Sequence, residues 1–159
     1  MSIHMKTTLA LATSLILMFV GSMALAWNHG PMSKVDRVAE QSANFVVDFN
    51  AKDNVALGRY YVRNKSVLKL PNAPAVSGRD AIVEAWGGGF AAGLDALVLS
   101  VDSLEEIGRN QVLENGTYEL TILTPNGPIV QEGTYAVTWR VPNNPNRRPR
   151  IIFDSIDAN

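Results

Sequence analysis

Gly116-Thr117-Tyr118-Glu119-Leu120-Thr121 and Gly133-Thr134-Tyr135-Ala136-Val137-Thr138 repeat one six-residue pattern on either side of Pro125-Asn126-Gly127-Pro128. Alternating β-formers around an Asn-Gly pair predict a β-hairpin whose two-residue loop is Asn126-Gly127, at the positive φ those residues tolerate best. In that register Tyr118 faces Tyr135 and Glu114 faces Trp139. Because side chains alternate across a strand, Val112, Glu114, Tyr118, Leu120 and Ile122 share a face with Tyr135, Val137, Trp139 and Val141. One carboxylate thus stands on an otherwise apolar and aromatic wall.

Two further strands flank the hairpin. Leu97 to Glu106 precedes it, and Arg150 to Ile156 follows the polar loop Pro142-Asn143-Asn144-Pro145-Asn146 and the basic run Arg147-Arg148-Pro149-Arg150, which reads as a solvated loop. Upstream the periodicity changes. Ser33, with Asp36 three residues later, is close to a capping box, and Val35, Val38, Ser42, Phe45 and Phe49 follow at spacings of three and four, predicting an amphipathic helix to about Asn50. Asp53 caps a shorter helical piece to Tyr60. Val67 to Leu70 is a short strand stopped by Pro71, and a third helix starts near Ser77-Gly78-Arg79-Asp80 with Ile82, Trp86 and Phe90 on one side. Gly87-Gly88-Gly89 lies inside it. At about 1 kcal/mol for each Gly relative to Ala, the triplet predicts an early end, a frayed turn or a kink.

Helices first and long antiparallel strands afterwards is the α+β pattern, a curved sheet with its apolar face against helices gathered on one side. Before it, Lys6, the apolar run Leu9 to Met23 and Ala24-Leu25-Ala26 read as an export signal cleaved before Trp27. The run is shorter than the roughly 20 residues of a bilayer-spanning helix, so no membrane anchor is expected after cleavage. The predicted organisation is a signal peptide at 1–26, a loose lead at 27–32 and one α+β domain at 33–157, exported to a periplasmic or extracellular space. With no cysteine, its stability must come from a core. Fourteen basic against fifteen acidic side chains give no electrostatic footprint for nucleic acid.

The order helix, helix, strand, helix, then four strands resembles the nuclear transport factor 2-like superfamily. Leu70 through Ile82, Glu114-Asn115-Gly116-Thr117-Tyr118 and Gly133-Thr134-Tyr135 through Trp139-Arg140 are similar to its SnoaL-like, ketosteroid-isomerase-related branch. The resemblance implies a cone-shaped antiparallel sheet over about three N-terminal helices with a pocket between them, and commonly a homodimer formed through the sheet. It is poor guidance to function, because the superfamily hosts isomerases, dehydratases, cyclases, binding proteins and assembly domains.

Glu114 is the first catalytic candidate, since a carboxylate on an apolar wall loses hydration and becomes a usable proton acceptor near neutral pH. Its structural alternative is pairing with Arg140 or Arg109. Asp154 is the second, on a face with Ile152 and Ile156, or held structurally by Arg79. Tyr60, Tyr61, Trp86, Phe90, Tyr118, Tyr135 and Trp139 are the candidates for a ligand-binding lining. His29 in the lead is the only histidine beyond the signal, so neither a His-Asp dyad inside the domain nor a metal site is expected, and no glycine-rich phosphate loop or cofactor is implied. These readings favour binding of a small apolar or amphipathic molecule. The alternatives are a cofactor-independent isomerase, dehydratase or cyclase using a pocket carboxylate, and a structural dimerisation module on the polar positions Thr117, Glu119 and Thr121.

Overall fold

The computed structural model describes residues 30–159. The expected export signal and most of the lead fall on residues 1–29, outside the described residues, and no described helix is long and apolar enough to cross a membrane. The elements are α1 (Lys34–Asn50), α2 (Asn54–Gly58), β1 (Val67–Lys69), β2 (Val76–Ser77), α3 (Arg79–Ala91), β3 (Leu94–Gly108), β4 (Gln111–Thr124), β5 (Gly127–Arg140) and β6 (Arg150–Ala158). The strands form one mixed sheet in the order β2-β1-β6-β5-β4-β3, in which only β1 and β6 are parallel.

The helices begin where their caps put them. Ser33 and Asp36 make the reciprocal capping box, and the Asp53 side chain accepts from the Ala56 amide at 2.8 Å. Val38, Ser42, Phe45 and Phe49 are buried along one stripe of α1. α3 departs from expectation, continuing through Gly87-Gly88-Gly89 to Ala91. Packing outweighs propensity there. A Cβ on Gly87 would sit 2.8 Å from Asn54 Nδ2 and one on Gly89 2.6 Å from Leu94 Cδ1, so bare backbone lets α3 pass close to α2 and β3.

The hairpin also differs in register. Thr124 pairs Gly127, so the loop is Pro125-Asn126, and Asn126 does not take positive φ whereas Gly127 does, at 110°. Proline decides this. Its ring holds φ near −65°, the value for the second position of a type I turn, which also favours Gly at the fourth. Thr124 Oγ1 closes the turn on the Gly127 carbonyl at 2.6 Å. The two-residue shift keeps every side chain on its predicted face but changes its partner.

Tyr135 now faces Gly116, Tyr118 faces Gly133, and Glu114 faces Val137, correcting the Tyr118–Tyr135 and Glu114–Trp139 pairs. The repeated Gly-Thr-Tyr is thereby explained. A Cβ on Gly116 would lie 2.8 Å from the Tyr135 ring and one on Gly133 2.7 Å from that of Tyr118, so each ring lies flat over the opposite strand's glycine.

A bulge separates the Thr138–Phe153 pair from the Trp139–Ile151 pair. It corrects the face of β6. Asp154 shares the inner face with Ile156 as expected, but its upstream neighbour there is Ile151, with Ile152 taken up by the bulge.

Candidate functional site

Between the inner face of the sheet, α1, α3 and the loop Leu70–Asn72 lies a cavity of about 340 Å³. Its walls are mostly apolar and aromatic, and include Phe45, Phe49, Trp86, Leu97, Tyr118, Tyr135, Val137, Trp139 and Ile151. Of the seven predicted lining residues, Trp86, Tyr118, Tyr135 and Trp139 reach it. Tyr60, Tyr61 and Phe90 do not. They stand behind the wall, Tyr60 and Tyr61 edge-on to Phe45 at 5.4 and 6.4 Å and Phe90 edge-on to Phe49 at 5.1 Å. The Tyr60 hydroxyl is committed to Asp48 at 2.7 Å.

Both candidate carboxylates line the cavity, in one row across the sheet: Glu114 on β4, Val137 on β5, Asp154 on β6. With strands about 4.8 Å apart their backbones are on the order of 10 Å from each other. Glu114, 1% exposed, is tied down from three sides. Oε1 accepts from Ser42 Oγ at 2.6 Å and Tyr135 Oη at 2.9 Å, and Oε2 from Trp139 Nε1 at 2.8 Å. Neither Arg140 nor Arg109 pairs with it. A buried acceptor with three donors is held in one orientation.

Asp154, 5% exposed, is bound more sparingly. Oδ2 accepts from Tyr61 Oη at 2.6 Å, and that hydroxyl in turn lies 3.4 Å from Trp86 Nε1. The Arg79 guanidinium, a possible partner by sequence, grips the Tyr61 carbonyl instead, at 2.7 and 3.1 Å. Asp154 Oδ1 has no partner among the described residues and is not sealed in, so it opens to the cavity. Burial pushes the Asp154 carboxyl up to about 6, with the Tyr61 hydrogen bond opposing and the nearby Glu114 charge adding to the rise. Burial, together with Glu114, also raises the Tyr135 phenol far above its ordinary value, leaving it a neutral donor.

Three polar cavity residues escaped the sequence reading, Ser42, Gln131 and Asn72, the last in the loop after β1. Ser42 sits in the apolar stripe of α1, and a hydroxyl at a core position is itself a sign that something polar faces it. Gln131, whose Nε2 lies 3.3 Å from Tyr118 Oη, occupies an inner-face position after the turn and gives no such sign. Gly133, which faces Tyr118, is four residues along β5 from Val137, roughly 13 Å, so this polar pair belongs to the opposite end of the cavity from Asp154. Among the described residues no cluster of three or more His, Cys, Asp or Glu is placed to hold a metal.

Among solved structures the chain is similar to a ketosteroid isomerase-like protein from Erwinia carotovora atroseptica, with a TM-score of 0.70 at 13% identity over 79% of this chain and 96% of that one. The chain has the nuclear transport factor 2-like fold. The same fold appears in a protein of unknown function from Shewanella oneidensis (TM-score 0.66, 15% identity, 79% of this chain and 99% of that one). It appears again in a nuclear transport factor 2-like superfamily protein from Salmonella enterica (TM-score 0.66, 16% identity, 79% and 90%). No family model matches the chain, and no curated protein matches it. Identities this low carry the nuclear transport factor 2-like architecture and leave the chemistry to the site.

Proposed function

We propose that the cavity binds a small, largely apolar molecule whose polar end meets Asp154. The carrying observation is an aromatic-walled space of about 340 Å³ at whose polar end Asp154 Oδ1 has no partner among the described residues. Ligand sites are commonly concave and apolar with a few placed polar groups. Proton transfer by Asp154 is the second reading, favoured by a carboxyl that titrates near 6 with an open oxygen, and by the isomerase-like name of one structural neighbour. Geometry ranks it lower. Steadying an enolate beside Asp154 needs a donor, and the nearby hydroxyl and indole hydrogens are given to Glu114, Asp154 and Tyr61.

Export and a homodimer are part of the proposal. Export rests on the apolar run and the Ala24-Leu25-Ala26 pattern. Assembly rests on the outer face of the sheet, where Val98 and Val130 are exposed beside the facing pair Glu119 and Glu132 and Phe153 is exposed farther along, opposite Thr138. One measurement tests all three parts, native mass spectrometry of the protein purified from the compartment it occupies in its source. The expected spectrum is a dimer of chains beginning at Trp27 that carries a retained small molecule, released on unfolding. A monomer would remove the assembly reading, and an intact residue 1 would remove cleavage. An empty cavity that also fails to bind both phenethyl alcohol and phenethylamine in calorimetry would end the binding reading.

A further inference from the structure

We propose that the ligand is an organic cation, an alkylammonium carried on an apolar body, recognised by Asp154 Oδ1 and the surrounding aromatic rings; this rests on the binding reading above. The charge of the lining is the first argument. Among the described residues Asp154 and Glu114 are the only acidic side chains that line the cavity, and no Lys, Arg or His lines it. An anion would enter against that field with no counter-charge, whereas a cation would lower the energy of both carboxylates. In a space walled by hydrocarbon such interactions are screened far less than in water.

Donor and acceptor accounting is the second argument. Ser42, Tyr135 and Trp139 give their hydrogens to Glu114, Tyr61 gives its hydrogen to Asp154, and Trp86 points its own at Tyr61. What remains on offer at this end is an acceptor. A carbonyl or ether oxygen placed there would find nothing to accept from, while an ammonium brings donors. A buried ion pair is stable only when its members are well hydrogen-bonded, and Tyr61 already holds the other oxygen of Asp154 in place.

The third argument is the wall itself. Trp86, Tyr135, Trp139 and Phe45 surround the space, and indole and phenol faces attract a desolvated cation. Exclusion follows from the same residues. Phenylacetate, the same ring bearing a carboxylate, has no favourable contact for its charge.

Calorimetry with phenethylamine and phenethyl alcohol isolates the charge, since the two share a ring and a donor. At pH 8 the amine should bind at least tenfold more tightly than the alcohol, and phenylacetate should not bind. Asp154→Asn should bring the two within about threefold. The wild type alone gives an independent reading. The alkylammonium keeps its proton over this range, as a Lys side chain with a pKa of about 10.4 does, so the amine's advantage should shrink about tenfold from pH 8 to pH 5 as Asp154 protonates. Tyr61, Glu114 and Tyr135 are the titratable groups facing Asp154, and the two phenols stay neutral throughout. Equal binding of amine and alcohol at pH 8, or an amine advantage that ignores pH, would overturn the cation assignment while leaving the binding reading standing. Failure of both to bind would overturn the two together.

Discussion

A carboxyl lifted to about 6 by burial makes the folded protein less stable as pH rises, the reverse of the usual acid effect of carboxylates. Asp154 starts from 3.8 in the unfolded chain, so its contribution is fully present below that value and is lost as pH climbs through about 6. The shift corresponds to about 3 kcal/mol. Asp154→Asn should therefore gain stability relative to the wild type by up to about that amount between pH 4 and pH 7, measured by urea unfolding at each pH. A difference that stays flat over the range would mean that Asp154 keeps an ordinary carboxylate pKa. At this scale the sequence told half the story. Alternation placed Glu114 on the inner wall, because a two-residue periodicity is a local property. Its three donors come from α1 and β5, and nothing local to residue 114 announces them. The bulge at Ile152 was equally silent, although the side of the sheet on which Asp154 falls happened to survive it.

Elements were legible where cap and stripe agreed, as in α1 with Ser33, Asp36 and its buried Val38, Phe45 and Phe49. They were misread where a local preference met a stronger constraint. Pro125 overrode the Asn-Gly signal by fixing its own φ, and the glycine triplet continued as helix because contacts with Asn54 and Leu94 require no Cβ at two of its three positions. The third position separates the two effects. Gly88 is exposed and a Cβ there would meet nothing within 4 Å, so Gly88→Ala should stabilise the protein by about 1 kcal/mol. Gly87→Ala and Gly89→Ala should forfeit that gain to their clashes. Thermal unfolding of the three variants decides the matter, and equal stabilisation by all three would show that the close passage of α3 over Asn54 and Leu94 is not tight.

For the whole molecule, the α+β class followed from the order of elements, but the sheet order did not. β1 is three residues long and lies beside β6, more than eighty positions away in the chain, a pairing with no local signature. Residues from α1, α3 and the five strands β1, β3, β4, β5 and β6 share one hydrophobic cluster, so urea unfolding followed by tryptophan fluorescence and by far-ultraviolet circular dichroism should trace one coincident transition. Separate transitions would show that the helices and the sheet come apart independently. The position of β6 bears on the order of events in time. The strand inserted between β1 and β5 is the last of the six to be made, so a nascent chain has its helices and its long hairpin before it has a closed wall. Until Asp154 and its neighbours leave the ribosome, β1 has no partner but β2 and the aromatic cluster lacks one side. A half-synthesised chain thus lacks the strand that joins β1 to β5, and the wall of the cavity is completed only when β6 is made.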